Sequence, residues 1–159
     1  MKLCLSVFEP LVKVLRLVDG DVKPSMGFLY GELLMAKREI KEAYGNAESR
    51  YKDVIVIIEK EMKGRLDSPL HLTAYLLNPY YSYCNPSIFD DATITVGFMS
   101  CVETFYHHDE DKQDQAVNTE LDKFRNREGP FNKKLAKTCE KFDYNLGRGN
   151  SYYMVVSLL

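Results

Sequence analysis

Arg50-Tyr51-Lys52-Asp53-Val54-Ile55-Val56-Ile57-Ile58-Glu59-Lys60-Glu61 is the stretch whose reading decides the fold. Five consecutive β-branched residues suit a buried strand, and taken alone Val54 to Ile58 passes for one. In the longer window from Glu48 to Lys63, however, Tyr51, Val54, Ile55, Ile58 and Met62 recur at three- and four-residue spacing, and charges bracket the apolar run on both sides. Length and flanking charge favour a helix. Thr93-Ile94-Thr95-Val96 also has strand propensity. There the acidic Asp90-Asp91 start and the stripe Ile94, Phe98, Cys101, Val102 and Phe105 again favour a helix, with Ser87 as a cap leading in.

Working outward, Leu3, Val7, Leu11, Val14, Leu15 and Val18 trace a first helix that Pro10 starts or kinks, and Asp19-Gly20-Asp21 breaks it. Pro24 suits a first helical turn. Met26, Leu29, Tyr30, Leu33, Lys37, Ile40 and Tyr44 then form one mostly apolar stripe, closed by Gly45-Asn46. Ser68-Pro69 opens a short, nearly all-apolar helix that the Asn78-Pro79 pair ends, and Tyr80 to Pro86 reads as an aromatic loop. After a solvated break at His107-His108-Asp109-Glu110-Asp111, Gln113, Val117, Leu121 and Phe124 mark a polar-faced helix ending near Gly129-Pro130. A last helix from Phe131 carries Leu135, Cys139 and Phe142. The expectation is an all-α, irregular bundle of about six to seven helices, with a helical domain over 1–145 and a divergent tail over 146–159.

The 159 residues, 45% hydrophobic and 12% aromatic, suffice for a real core. The 21 basic and 23 acidic side chains leave a formal charge of −2, so no global field holds a polyanion. Any DNA contact has to be a local patch, and one concentration of cations exists: Lys133, Lys134, Lys137 and Lys141 near one helical face, with Arg125 and Arg127 just before them. Glu120, Asp122, Glu128 and Glu140 dilute it, which favours an ordinary solvated face. No run approaches the roughly 20 apolar residues of a membrane span, and Lys2, Glu9, Lys13 and Arg16 interrupt the first segment too often for a secretory signal. A nuclear or cytoplasmic protein is expected.

Catalytic and ligand-binding patterns fail one by one. Cys4, Cys84, Cys101 and Cys139 form no CxxC and are expected to be reduced, buried thiols. His107 to Asp111 clusters ligand types, but adjacent ligands diverge, so a solvated loop is favoured over a metal site. His71 lies on the apolar helix as a core histidine. Gly27 and Gly31 give a GxxxG-like spacing that serves helix packing, and no nucleotide-cradling or Gly-x-Ser-x-Gly motif occurs. The acidic pairs Asp19 with Asp21 and Asp90 with Asp91 could hold metal in a nuclease, yet they sit at a turn and a helix start, where backbone geometry explains them. No cofactor, metal or small-molecule substrate is implied.

Phe8 to Asp21, Pro24 to Tyr30, Ala36 to Ile40 and Leu70 to Pro79 together resemble plant hAT-family transposases of the BED-finger type, over about Cys4 to Asn145. In that family a ribonuclease H-like core carries three metal-holding acids, with a large helical domain inserted between the second and third. The resemblance implies that this chain corresponds to the inserted helical domain. The acids, the BED zinc finger and the carboxy-terminal dimerisation segment are then expected to lie outside it, so no catalytic residue is carried over. After Asn145 the sequence departs from the family and contains no Trp, which implies truncation or an altered reading frame. The implied function is a non-catalytic, transposase-derived module that binds a protein partner or acts as a scaffold. The alternative is a component of a DNA-transposition complex or a DNA-binding regulator.

Overall fold

A computed structural model describes residues 2–19 and 26–132. Among the described residues every regular element is helical, so the all-α expectation holds. The chain divides into two compact units, Met1–Ser68 and Pro69–Leu159. The expected boundary between residues 145 and 146 lies outside the described residues, as do Gly20 to Pro24 and the body of the last expected helix.

The first unit contains α1 (Lys2–Val18), α2 (Met26–Ala43) and α3 (Glu48–Met62). α1 packs along α2, and Pro10 falls inside α1 rather than at its start. Val14, Leu29, Leu33, Ala36 and Met62 make the core, with Leu11, Ile58 and Leu66 against it. Two ion pairs cross the helix contacts, Lys13 Nζ to Glu39 at 3.3 Å and Lys37 Nζ to Glu59 at 3.2 Å. The α2–α3 connection shows why Gly45-Asn46 stops a helix. Asn46 N–H donates to the Lys41 carbonyl and Gly45 N–H to the Glu42 carbonyl, the paired bonds of a Schellman cap, with φ of 56° at Asn46 and 65° at Gly45.

α3 is a helix throughout the β-branched run. Ile55 and Met62 are buried, with Val54 and Ile58 half-buried beside them, whereas Val56 and Ile57 face solvent. A strand would have alternated residue by residue; the observed burial follows the helical period instead.

The second unit begins with α4 (Pro69–Leu76), lying against α6 (Ala92–Phe105). Contact is close because residue 97 is glycine: a Cβ there would meet Leu72 Cδ1 at 2.6 Å and Leu72 Cβ at 2.9 Å. The Asn78-Pro79 pair ends α4, as the sequence implies, and also starts the next element. Asn78 Oδ1 accepts from Tyr80 N–H at 3.1 Å, and Pro79 occupies the first turn of α5 (Pro79–Ser82).

Several local expectations are corrected. Tyr80 to Pro86 is only in part a loop: the one-turn α5 takes in Tyr80 to Ser82 and leads towards a 3₁₀ turn at Pro86–Asp90, with Tyr81 and Tyr83 buried. Ser87 caps nothing; its hydroxyl donates to Asn85 Oδ1 at 2.7 Å, while the cap of α6 is Asp91, whose Oδ1 accepts from Thr93 and Ile94 N–H. Phe105, the final residue of α6, leaves the buried stripe and is exposed. The acidic break after it is shorter than expected. Asp109 caps α7 (Glu110–Asp114), which runs through a π-helical segment (Gln115–Glu120) into α8 (Leu121–Arg125). Gly129–Asn132 is a 3₁₀ turn. Of the thiols, Cys101 is buried as expected, but Cys4 and Cys84 are exposed and Cys139 lies outside the described residues. Apolar sequence around Cys4 did not guarantee burial of its thiol.

Candidate interaction surface

α1 carries more apolar surface than packing on α2 can use. At about 100° per residue, Leu17, Val14, Val7 and Leu11 cover one arc, while Leu15, Phe8, Val12 and Leu5 cover the adjoining one. Together they span about two thirds of the helix circumference, leaving Glu9, Lys13 and Arg16 on the remainder. Val14 and Leu17 are buried. The second arc faces water, with Leu5 63%, Phe8 62%, Val12 39% and Leu15 59% exposed.

Residues at i, i+3 and i+7 on a helix are surface neighbours, so these four form one stripe. If a large apolar side chain presents roughly 150–200 Å² when fully exposed, the stripe offers on the order of 400 Å². That is the size at which an exposed apolar patch signals an interaction site. Sequence periodicity had placed Leu15 in a single stripe with Leu11 and Val14, and Leu5, Phe8 and Val12 were not singled out. The available signal was the interleaving of two apolar faces.

Of the cations proposed for DNA contact, Lys133, Lys134, Lys137 and Lys141 lie outside the described residues. Arg125 and Arg127 are described, and both are engaged within the second unit. Arg125 Nη2 pairs with Asp90 at 2.8 Å and its guanidinium lies 5.5 Å from the Phe89 ring centroid. Arg127 donates to the Tyr83 carbonyl at 3.2 Å, and its guanidinium lies 4.5 Å from the Tyr83 ring centroid. These contacts brace an aromatic core. Tyr83 O–H donates to the Phe124 carbonyl at 3.1 Å, and Tyr83, Phe89 and Phe131 all pack around the Phe124 ring.

Both carboxylates of the Asp90-Asp91 pair have local employment. Asp90 meets Arg125 and Asp91 caps α6. Asp19 N–H closes the end of α1 on the Leu15 carbonyl; Asp21 lies outside the described residues. His107 and His108 are exposed, with ring centroids 3.7 Å apart. His71 is half-buried on α4. Among the described residues no group of three or more His, Cys, Asp or Glu side chains is placed to hold a metal ion, and no helix is long and apolar enough to cross a membrane.

Among the described residues, two surface ion pairs carry perturbed ionisation. The hydrogen bond from Lys112, reinforced by its backbone N–H, holds the Asp109 carboxyl below its ordinary 3.8, and Asp109 in turn raises Lys112. Lys123, 2.8 Å away, lowers Glu120 in the same manner. Both pairs stabilise helix turns. The chain matches no protein-family model, no curated protein and no solved structure.

Proposed function

We propose that this chain is a non-catalytic helical domain derived from a hAT-like transposase, acting in the nucleus or cytoplasm as a protein-interaction or scaffold module. The observation that carries the interaction reading is the solvent-facing arc of α1. A helix that only braces α2 gains nothing from Leu5, Phe8, Val12 and Leu15 in water, and burying the exposed part of each such side chain is worth about 1–2 kcal/mol. The ancestry reading rests on the ordered resemblance of residues 8–21, 24–30, 36–40 and 70–79. Engagement of Asp90 and Asp91 in an ion pair and a helix cap supports a structural role for those acids.

The test of the interaction reading is cross-linking of the full chain in native extract, compared with a Phe8→Glu, Leu15→Glu chain. Cross-links to protein lost in the double variant are the expected outcome, and their persistence overturns the assignment of the α1 face. The non-catalytic reading is tested on supercoiled plasmid with Mg²⁺ or Mn²⁺, where nicking by the purified chain alone would refute it. The DNA-binding alternative predicts a salt-sensitive affinity that falls when Lys133, Lys134 and Lys137 are all changed to Glu.

A further inference from the structure

Resting on that reading of the α1 face, we infer that its occupant is a second copy of this chain, joined by antiparallel pairing of the two α1 helices. Leu5, Phe8, Val12 and Leu15 follow one another at spacings of three, four and three, the seam pattern of two helices packing knobs into holes. That pattern is symmetric about residue 10. A two-fold axis through residue 10 therefore lays the stripe on itself in register, as an isologous contact requires.

Side-chain volume selects the antiparallel direction. It sets Leu5 against Leu15 of the second copy and Phe8 against Val12 of the second copy, so every layer has a similar volume. Parallel pairing stacks Phe8 on Phe8 and Val12 on Val12, an overfilled layer beside an underfilled one. Pro10, at the midpoint, is buried and lies about 180° around the helix from the stripe, so its ring stays out of the seam. Glu9 and Arg16 border one side of the stripe, giving a polar rim.

Area sets the class of interface. Two copies of a stripe of about 400 Å² each, with the rim added, bury on the order of 1,000 Å², at the low end of specific interfaces. Contacts of that size are weak and reversible, packing quality rather than area tunes their affinity, and dissociation constants from about 1 to several hundred µM are expected.

Sedimentation velocity of the full chain between about 1 and 500 µM brackets that range. The expected result is a concentration-dependent dimer that Phe8→Glu with Leu15→Glu converts to monomer at unchanged helicity, and that Phe8→Leu preserves. A wild-type monomer throughout, or a dimer that survives the double variant, overturns the proposal. Direction is tested in a chain with Cys4, Cys84 and Cys139 changed to Ser. Oxidising a mixture of Leu5→Cys and Leu15→Cys chains should give the mixed disulfide, with neither chain linking to itself; Leu5→Cys linking to itself rejects the antiparallel arrangement. If the chain is monomeric but the double variant still loses its cross-links to another protein in extract, self-association fails and the interaction reading stands. If those cross-links also persist, both fail.

Discussion

Thr73 and Gly97 are two side-chain positions where helix α4 meets a chemical constraint from opposite directions. Thr73 is 1% exposed and its Oγ1 has no hydrogen-bond partner, and an unsatisfied buried hydroxyl costs about 1–3 kcal/mol. Thr73→Val keeps the shape and removes the orphaned group, so it should raise the urea midpoint by the equivalent of about 1 kcal/mol; a loss of that size would mean the hydroxyl is satisfied. At Gly97 the added methyl of Ala meets Leu72 Cβ at 2.9 Å, which a rotamer change cannot relieve. Gly97→Ala should cost about 1–3 kcal/mol in the same measurement, and the methyl's added cost should shrink in a Leu72→Gly chain, which removes that Cβ, and persist in a Leu72→Ala chain, which keeps it. Neither constraint is legible in sequence, where Thr73 and Gly97 are ordinary members of apolar helices. Arg127 is hidden for a similar reason. It takes φ of 57° at the end of α8, a position that usually goes to glycine, where the contacts with Tyr83 hold its guanidinium, and those come from 44 residues away.

Helix α3 shows how an element was readable when a five-residue window was not. The charges around Val54 to Ile58 and the 3.6-residue repeat fixed its type, but the same repeat leaves Val56 and Ile57 53% and 63% exposed. Both are poor helix formers, so Val56→Glu with Ile57→Lys, which places opposite charges four residues from Lys52, Lys60, Asp53 and Glu61, should add about 0.3–0.6 kcal/mol to thermal stability and slow β-rich aggregation of the heated chain. A destabilised double variant would show that something buries this face. The Glu110–Arg125 region was legible as a helix, whereas its π-helical segment was not, since no proline or glycine interrupts Gln115–Glu120. Its acid response follows from the two lowered carboxyls. Asp109 and Glu120 contribute stability that is fully present above their ordinary values of 3.8 and 4.5 and is lost as pH falls through the lower folded values. Far-UV circular dichroism and Cα shifts of residues 110–125 should be flat between about pH 5 and 8 and lose helicity below about 4. Asp109→Asn retains a capping side chain without titrating, so it should reduce the acid loss at residues 110–114; an unchanged acid profile there would reject the cap as its source.

At the scale of the whole molecule, each unit gathers buried side chains of its own. The cluster of Val14, Leu29, Leu33, Ala36 and Met62 draws only on Met1–Ser68, and Phe124 gathers Tyr83, Phe89 and Phe131 entirely within Pro69–Leu159. In sequence, Ser68-Pro69 reads only as a helix start, because a change of packing partner leaves no composition signal when the helices on both sides share one apolar periodicity. Separate cores imply separable opening. Ile40 is fully buried in the first unit and Phe124 is 1% exposed in the second. Truncation to Ala removes packing worth about 2–5 kcal/mol at either site. Native-state hydrogen exchange should therefore respond by unit: Ile40→Ala should speed exchange of amides in α2 and α3 while α6 keeps its wild-type rates, and Phe124→Ala should do the reverse. If either substitution accelerates both sets equally, the two cores open as one cooperative body.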